Sequence, residues 1–344
     1  MIHQYAFSNF QSFRERVEVD FRINNKTAMT DWMSEPLQGE RVSNLMAVLG
    51  PNGGGKTALI KAAAFLEWFI TDSFKAPPDS GIPFEAHFSA SNEPSEFEVL
   101  CDFDGRLWRY VLRCTKERVL HEALYTRRER FGYVFIRDWN EASNRYDVKQ
   151  KDFGLASREA QKVRANASLI STAAQYGVPL ATRMMNTGFA SNVNLFGRLP
   201  MGNDAIVIAA KHFSAASVQH AEMERLLMAW DLGLAGVDLQ ELKINKPGET
   251  ETKVWFPFGR HRLRNGERTL PFSMESSGTQ GAFVLLSRLL PVLSAGGLAV
   301  IDEFENDLHP YMLEPILDLF ANPATNPHNA QLLFSCHAPE VLNL

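Results

Sequence analysis

The chain has 344 residues, of which 45% are hydrophobic and 22% are charged. These proportions are typical of globular proteins and exclude a collagen-like, disordered or disulfide-stapled chain, while the length predicts about two domains. The net charge of −5, from 35 Lys and Arg against 40 Asp and Glu, excludes a globally basic nucleic-acid binder. Three cysteines without a CxxC spacing, and an N-terminus without the pattern of a signal peptide, predict a cytoplasmic protein.

The N-terminal part of the chain is predicted to be rich in strands. Apolar runs enriched in Val and Phe predict strands at 2–7, 16–22, 45–49, 119–126 and 132–137. The first two are expected to form a hairpin, and Asp104-Gly105 predicts another hairpin with a two-residue turn. A helix is predicted from Lys56 to about Asp72, because its apolar residues fall on one face.

The middle of the chain is predicted to be helical, and the C-terminal part to alternate helices and strands. Residues 157–230 are rich in Ala, Met and Leu and poor in Pro, which predicts a compact, mostly helical insert. Strand character at 238–258 and a hairpin around Asn265-Gly266 follow. The stretch 282–301 is about long enough to span a bilayer, but an arginine, a proline and a Gly-Gly pair lie inside it. A helix, a turn and a buried strand are therefore expected there.

The segment GPNGGGKT, residues 50–57, matches the pattern GxxxxGK[ST] at every fixed position. It lies between a predicted strand and a predicted helix, which is the context of a P-loop that binds ATP. Glycines let backbone N–H groups converge on phosphate oxygens, and the helix N-terminus adds its dipole. Lys56 is expected to reach the β- and γ-phosphates, and Thr57 to ligate Mg²⁺. The rest of the predicted phosphate cradle consists of Asn52, Gly53, Gly54 and Gly55.

The run LAVIDE, residues 298–303, ends a predicted buried strand with two carboxylates. Asp302 is predicted to hold Mg²⁺ as a Walker B residue. Glu303 is predicted to be the catalytic base, or to orient water, for in-line attack on the γ-phosphate. Alone, such a run also fits an ordinary strand end, but together with the P-loop it predicts hydrolysis of ATP.

The segment ESSGTQ, residues 275–280, precedes an apolar helix. Small residues at a helix N-terminus expose N–H donors to an anion, although they can also serve as a simple N-cap. With the P-loop, this segment resembles the signature motif of ABC-type ATPases of the SMC and RecF group. The resemblance implies that Ser276 and Gly278 touch the γ-phosphate of nucleotide held by the opposite protomer. His337, after the predicted strand QLLFS, is similar to the switch histidine that contacts the γ-phosphate in that group.

Two further segments extend the resemblance. Residues 306–310, NDLHP, resemble the D-loop, and residues 8–13, SNFQSF, resemble the opening of RecF-like proteins, where the loop lies near the adenine and ribose. The combination of ESSGT, DEF and LHP is most similar to stand-alone "AAA family ATPases" of anti-phage systems such as PARIS, Septu and retrons. No clear Q-loop glutamine follows the P-loop helix. A predicted strand at 82–88, IPFEAHF, which includes His87, would take its place.

The resemblance implies an α/β fold of the P-loop ABC-type ATPase class, with an N-terminal antiparallel β-subdomain and an inserted helical lobe. The predicted division is 1–150 for the N-terminal ATPase lobe, 151–236 for the helical insert and 237–344 for the C-terminal ATPase lobe. It also implies a homodimer or higher homo-oligomer that uses ATP and Mg²⁺ as a sensor or scaffold. The controlled effector would be a separate, nuclease-like protein from a neighbouring gene, with a phage-derived trigger.

Other functions stay open at this point. One alternative is a RecF- or SMC-like DNA-repair ATPase, and another is a non-hydrolysing assembly module stabilised by ATP. A basic hairpin could hold nucleic-acid phosphates or be a solvated surface; its residues are Arg260, His261, Arg262, Arg264 and Arg268. The nine histidines show no HxxxH or HExxH pairing, so we predict no metal centre beyond Mg²⁺.

Overall fold

A computed structural model describes residues 1–37, 39–230, 233–244, 252–306, 308 and 310–337. The strands are β1 Ile2–Ser8, β2 Val17–Asp20, β3 Arg22–Ile23, β4 Met33–Leu37, β5 Glu40–Ser43, β6 Leu45–Leu49, β7 Ser95–Phe103, β8 Arg106–Cys114, β9 Val119–Arg127, β10 Phe131–Asn140, β11 Arg145–Gln150, β12 Gly188–Ser191, β13 Gly236–Ile244, β14 Thr252–Leu263, β15 Gly266–Pro271, β16 Gly297–Ile301 and β17 Gln331–Cys336. The helices are α1 Lys56–Thr71, α2 Ser157–Ala160, α3 Leu169–Gln175, α4 Pro179–Met185, α5 Asn203–Ala215, α6 Ser217–Ala229, α7 Ser277–Ala295 and α8 Leu313–Ala321.

The larger sheet is antiparallel, with the strand order β11-β10-β9-β8-β7-β1-β2. The predicted N-terminal hairpin is present as β1 and β2. The predicted hairpin at Asp104-Gly105 is present as well, with Phe103 paired to Arg106. Both turn residues are left-handed, with φ of 50° and 67°, which suits the right-handed twist of the two strands.

The second sheet is parallel, with the order β12-β16-β17-β6. In β16 and β17 nearly every residue is buried, as expected for strands covered on both faces. The edge strand β6 is only half-buried. Since the strands are parallel, the segments that follow β6, β16 and β17 meet at one edge of the sheet.

Helix α1 lies between the two sheets and joins them through one apolar core. Phe65 and Phe69 of α1 pack with Phe97 of the antiparallel sheet and Val300 of the parallel sheet. The other face of the parallel sheet is covered by α5 to α8, with Phe213, Phe283, Leu286 and Ile316 in the second core. The molecule is therefore layered as antiparallel sheet, α1, parallel sheet and helices.

The predicted insert, 151–236, is mostly helical in its described residues, but it contains the strand β12. This strand pairs in parallel with β16, from Gly188 opposite Gly297 to Ser191 opposite Val300. It was not predicted because GFAS is short, lacks β-branched residues and has no polar-apolar alternation. The three-part division of the chain stays a prediction.

One local prediction was wrong, and another was displaced by one residue. Residues 81–87 do not form a strand; Ile82 N–H donates to the Lys116 carbonyl (2.7 Å), and a short 3₁₀ turn follows at Phe88–Ala90. Pro83 has no N–H group for a ladder, so the apolar run cannot pair as a regular strand. In the later hairpin Leu263 pairs with Gly266, which places the turn at Arg264-Asn265, one residue earlier than predicted.

The stretch 282–301 forms the end of α7, the Gly-Gly turn and β16, as predicted. No helix in the described part of the chain is long and apolar enough to cross a membrane.

Candidate active site

The P-loop runs from β6 into α1 and leaves an open cradle. Gly53 and Gly55 are left-handed, with φ of 76° and 91°, a conformation that favours glycine. A Cβ atom on Gly55 would lie 2.8 Å from the Phe13 ring and 3.2 Å from the Ser12 hydroxyl, so the N-terminal segment 8–13 closes one side of the loop. Residues 51–54 are exposed, and no side chain caps α1. Its first N–H groups are thus available to a phosphate.

Lys56 and His337 are brought together by the parallel sheet. Lys56 is only 8% exposed, and its Nζ donates to the carbonyls of Gly50 (2.8 Å) and Pro51 (3.0 Å). His337 Nδ1 lies 3.3 Å from the same ammonium group. The lysine charge is therefore held at the loop next to the end of β17, where it can exchange loop carbonyls for phosphate oxygens.

Thr57 and Asp302, the predicted Mg²⁺ ligands, are in direct contact. Thr57 Oγ1 donates to Asp302 Oδ2 (2.8 Å), and Ser335 Oγ donates to Oδ1 (2.5 Å). Among the described residues, hydroxyl groups and not cations contact this nearly buried carboxylate. Hydroxyl and carboxylate oxygens are the hard donors that Mg²⁺ takes, so the pair fits the ion.

Asn192, just after β12, fixes the backbone of Asp302. Asp302 N–H donates to Asn192 Oδ1 (2.7 Å), and Asn192 Nδ2 donates to the Asp302 carbonyl (2.8 Å). The amide thus replaces the ladder bonds at the point where β16 ends. Nothing in the local sequence distinguished this asparagine, since its partner is 110 residues away.

Glu303 turns its carboxylate off the strand. Its φ of 52° is left-handed, which costs about 1 kcal/mol or more in a residue other than glycine. Its N–H donates to Ser335 Oγ (2.8 Å), while Asn306 Nδ2 donates to Glu303 Oε2 (2.6 Å). Arg198 Nε lies 3.7 Å from the same oxygen. The half-buried carboxylate is therefore held just after the end of β16. Asn306 was predicted as part of the D-loop, whereas no role was predicted for Ser335 or Arg198.

Glu305 positions the start of the segment after β17. Its Oε1 accepts from His337 N–H (2.6 Å), and its buried Oε2 has no hydrogen-bond partner in the described ranges. Of the predicted D-loop, Asp307 and His309 lie outside the described residues.

The predicted signature segment caps its own helix. Ser276 Oγ accepts from Thr279 N–H (3.1 Å) at the N-terminus of α7, which is what an N-cap does. Glu275 just before it contacts His261 Nε2 (2.7 Å). No hydrogen bond in the described part of the chain joins Ser276 or Gly278 to the P-loop. The two halves of the predicted site are thus not brought together within one chain.

Two residues of the basic hairpin, Arg260 and His261, contact acidic side chains. Arg260 lies 3.3 Å from Glu224 and 3.2 Å from Asp238, and His261 contacts Glu275. These contacts favour the surface interpretation for Arg260 and His261, while Arg262 is exposed.

A search of the solved structures finds the SMC head among similar folds. The head bound to the C-terminal winged-helix domain of ScpA has a TM-score of 0.50 and 10% identity, covering 99% of this chain and 91% of that chain. The SMC head domain from Thermotoga maritima has a TM-score of 0.43 and 14% identity, with the same coverage. The first likeness supports an SMC-head type of ATPase fold. A search of curated proteins found no significant match.

The family model described as "AAA domain, putative AbiEii toxin, Type IV TA system" matches residues 45–343. This range starts at the strand before the P-loop and includes the carboxylates after β16 and the histidine after β17. The match covers most of the chain, including the segments that follow β6, β16 and β17 at the edge of the parallel sheet. The protein therefore belongs to this family of AAA domains.

Proposed function

We propose that the protein binds and hydrolyses ATP as a homodimer or larger homo-oligomer, and that its nucleotide state controls a separate toxic effector in anti-phage defence. The observation that carries the enzymatic part is the Thr57–Asp302 contact of 2.8 Å, with Glu303 next in the chain. This contact supports the proposal, because it brings two oxygen donors that fit Mg²⁺ together at the start of the helix after the P-loop.

Each residue at this edge has a distinct role in the proposed reaction. The exposed P-loop amides and Lys56 hold the phosphates, and Thr57 with Asp302 would hold Mg²⁺. When bound, Mg²⁺ offsets the negative charge on the β- and γ-phosphate oxygens. Glu303 accepts a proton from the attacking water or orients it, while Asn306 and Arg198 keep its carboxylate in place.

Two observations support action as an oligomer. Ser276 and Gly278 make no hydrogen bond to the P-loop of their own chain in the described ranges, so a second copy would supply them to the nucleotide. Exposed apolar side chains also lie near both halves of the site: Met274, before the signature segment, is 69% exposed, and Phe196, near Arg198, is 88% exposed. ATP held between two copies would keep the assembly closed, and hydrolysis would open it.

The defence role is supported by the resemblance of the motifs and by the family description, which names a toxin and a toxin–antitoxin system. A solved SMC head binds the winged-helix domain of ScpA, so this fold can present a surface to another protein. We propose a nuclease-like effector from a neighbouring gene, a phage-derived trigger and a cytoplasmic location.

Glu303→Gln tests the chemistry. The amide keeps the size of the side chain but cannot take a proton from water, so turnover should fall by about 10² to 10⁴. Nucleotide should stay bound, and mass measurement should show more of the closed assembly with ATP than without it. Glu15→Gln, on an exposed loop, is the matched control and should turn over like the wild type. Turnover of Glu303→Gln near the wild-type rate would remove Glu303 from the mechanism.

Ser276→Arg tests the composite site. The variant should bind ATP like the wild type, because its own P-loop is intact, yet fail to hydrolyse it. Lys56→Ala should lose tight ATP binding. Mixed dimers of the two variants contain one complete site, so some turnover should return on mixing. A mixture that forms mixed dimers but stays inactive would contradict sharing of the site between copies.

A further inference from the structure

A cavity of about 340 Å³ lies at the end of α1 away from the P-loop. One wall is the antiparallel sheet, where Val99, Cys101 and Phe103 alternate along β7 and so share a face. The opposite wall is the last turns of α1, with Leu66 and Ile70. The volume falls within the range of roughly 300–1,000 Å³ that is usual for small-molecule sites.

Two carboxyl groups, those of Asp102 and Glu67, are among the polar groups that line this cavity. Asp102 is already satisfied, because the N-terminal ammonium (3.2 Å) and His3 Nε2 (3.0 Å) both contact its Oδ1. Glu67, on α1, is different: its Oε1 accepts from Thr71 Oγ1 (3.1 Å), and no cation of the described residues lies within ion-pair distance of it. The nearby ammonium of Lys75 is paired with Asp72.

Burial raises the pKa of Glu67 to about 7, and the hydrogen bond from Thr71 offsets only part of that effect. The ionised carboxylate is thus costly at this apolar wall until a cation arrives. A ligand that brings an apolar body and a positive charge together would satisfy both the wall and the carboxylate.

We propose that this cavity binds a small apolar molecule that ends in an ammonium group, with the ammonium held by Glu67. The apolar part lies against Val99, Phe103 and Ile70. Binding here does not require ATP hydrolysis, so the proposal stands apart from the proposed function.

Helix α1 and strand β16 connect the cavity to the edge of the parallel sheet that carries the predicted ATP site. Helix α1 begins with Lys56 and Thr57 at the P-loop and carries Glu67 and Thr71 at its other end. Strand β16 likewise lines the cavity with Gly297 and Leu298 and ends just before Asp302. A bound molecule therefore touches two of the elements that position the predicted Mg²⁺ pair.

Three probes of one shape test the proposal: 4-phenylbutylamine, the neutral 4-phenylbutan-1-ol and the anionic 4-phenylbutyrate. Calorimetry with the full chain at pH 7.5 should show the amine binding at least about tenfold more tightly than the alcohol, because a charged hydrogen bond is the stronger one. The carboxylate should not bind. Glu67→Gln should reduce the affinity for the amine to that for the alcohol, and Glu15→Gln should leave all three values unchanged.

Two filling variants locate the probes. Val99→Trp fills the sheet wall, and Thr187→Trp narrows the exposed rim at the end of α4 without disturbing the core. Each should abolish binding of the amine and the alcohol while circular dichroism shows an intact fold. The proposal is overturned if folded wild-type protein binds neither the amine nor the alcohol, if the amine still binds both filling variants, or if the carboxylate binds as well as the amine.

Discussion

Glu122 and Asp302 are both buried carboxylates, but their surroundings differ. Glu122, inside the antiparallel sheet, accepts from Tyr110 Oη (3.0 Å), Ser168 Oγ (2.9 Å) and Leu169 N–H (2.9 Å). It also lies 3.3 Å from Arg137 Nη1, and both side chains are fully buried. Asp302, at the edge of the parallel sheet, has two hydroxyl donors and no cationic partner in the described ranges.

The difference separates a carboxylate with a cationic partner inside the fold from one that is predicted to bind a metal ion. Burial raises the pKa of Glu122, and Arg137 and the hydrogen bonds counteract that rise only in part. Arg137 in turn donates to the carbonyls of Val163, Arg164 and Ala167 and ties the following loop to the sheet. Glu122 thus has its counter-charge within the fold. Asp302 has no such partner in the described ranges, which is compatible with its predicted role as a ligand of Mg²⁺.

The strongest way to break this comparison is Arg137→Met. Removing the cation leaves Glu122 buried without its partner, and such a change typically costs about 3–5 kcal/mol of the free energy of unfolding. Denaturant titration should show this loss. Arg109→Met removes an ion pair of the same sheet, with Glu98, in which the arginine is 44% exposed, and should cost less than about 1 kcal/mol. Equal losses in the two variants would mean that the buried pair has no special structural weight.

Glu67 provides a third case, a carboxyl group with neither an internal cation nor a predicted metal. Its pKa of about 7 lies above its ordinary value of 4.5. Between these two pH values the folded state therefore holds a proton that the unfolded state has released. The resulting stability is complete below about pH 4.5 and is lost as the pH rises through about 7, on the order of 3 kcal/mol. Glu67→Gln should remove this loss in unfolding titrations at pH 5 and pH 8. Identical pH profiles for wild type and variant would contradict the prediction.

Ser335→Ala sharpens the comparison at the predicted metal pair. It deletes the hydroxyl that donates to Asp302 Oδ1 and accepts from Glu303 N–H. Removal of such a supporting group typically lowers metal affinity about 10- to 100-fold. Calorimetry of ATP binding over a range of Mg²⁺ concentrations should show this shift. Ser287→Ala, in α7, loses a hydroxyl whose hydrogen bond in the described part of the chain goes to the Val284 carbonyl of the same helix, and it should keep the wild-type Mg²⁺ dependence.

The sequence predicted features whose chemistry is carried by consecutive residues. The Asp104-Gly105 turn needs two left-handed residues in a row, and the P-loop needs closely spaced glycines before a helix, so both are recognisable locally. The α/β ABC-type fold was also predicted, from the order of several motifs along the chain. The roles of Lys56 in ATP binding and of Glu303 in ATP hydrolysis stay predictions.

Long-range contacts of residues that belong to no recognisable motif were not predicted. Asn192 meets Asp302 across 110 residues, and Ser335 meets it across 33, so neither has a local signal. The four residues of β12 form a strand only because the exposed edge of β16 is available to them. The strand predicted around His87 does not form. An apolar run that contains a proline needs a neighbouring strand with which it can pair.

The two hydrogen bonds between Asn192 and Asp302 affect how β12 can move along β16. A shift of β12 by one residue along β16, about 3.3 Å, would break both hydrogen bonds between Asn192 and Asp302 at once. The pairing of β12 with β16 therefore resists small displacements but is lost when the displacement reaches one residue. Arg198, a few residues further, also reaches the Asp302 carbonyl (3.4 Å) and the Glu303 carboxylate. The short segment 192–198 therefore contacts the backbone of Asp302 and the carboxylate of Glu303. A displacement of this segment would therefore move the backbone of Asp302 and the carboxylate of Glu303 together.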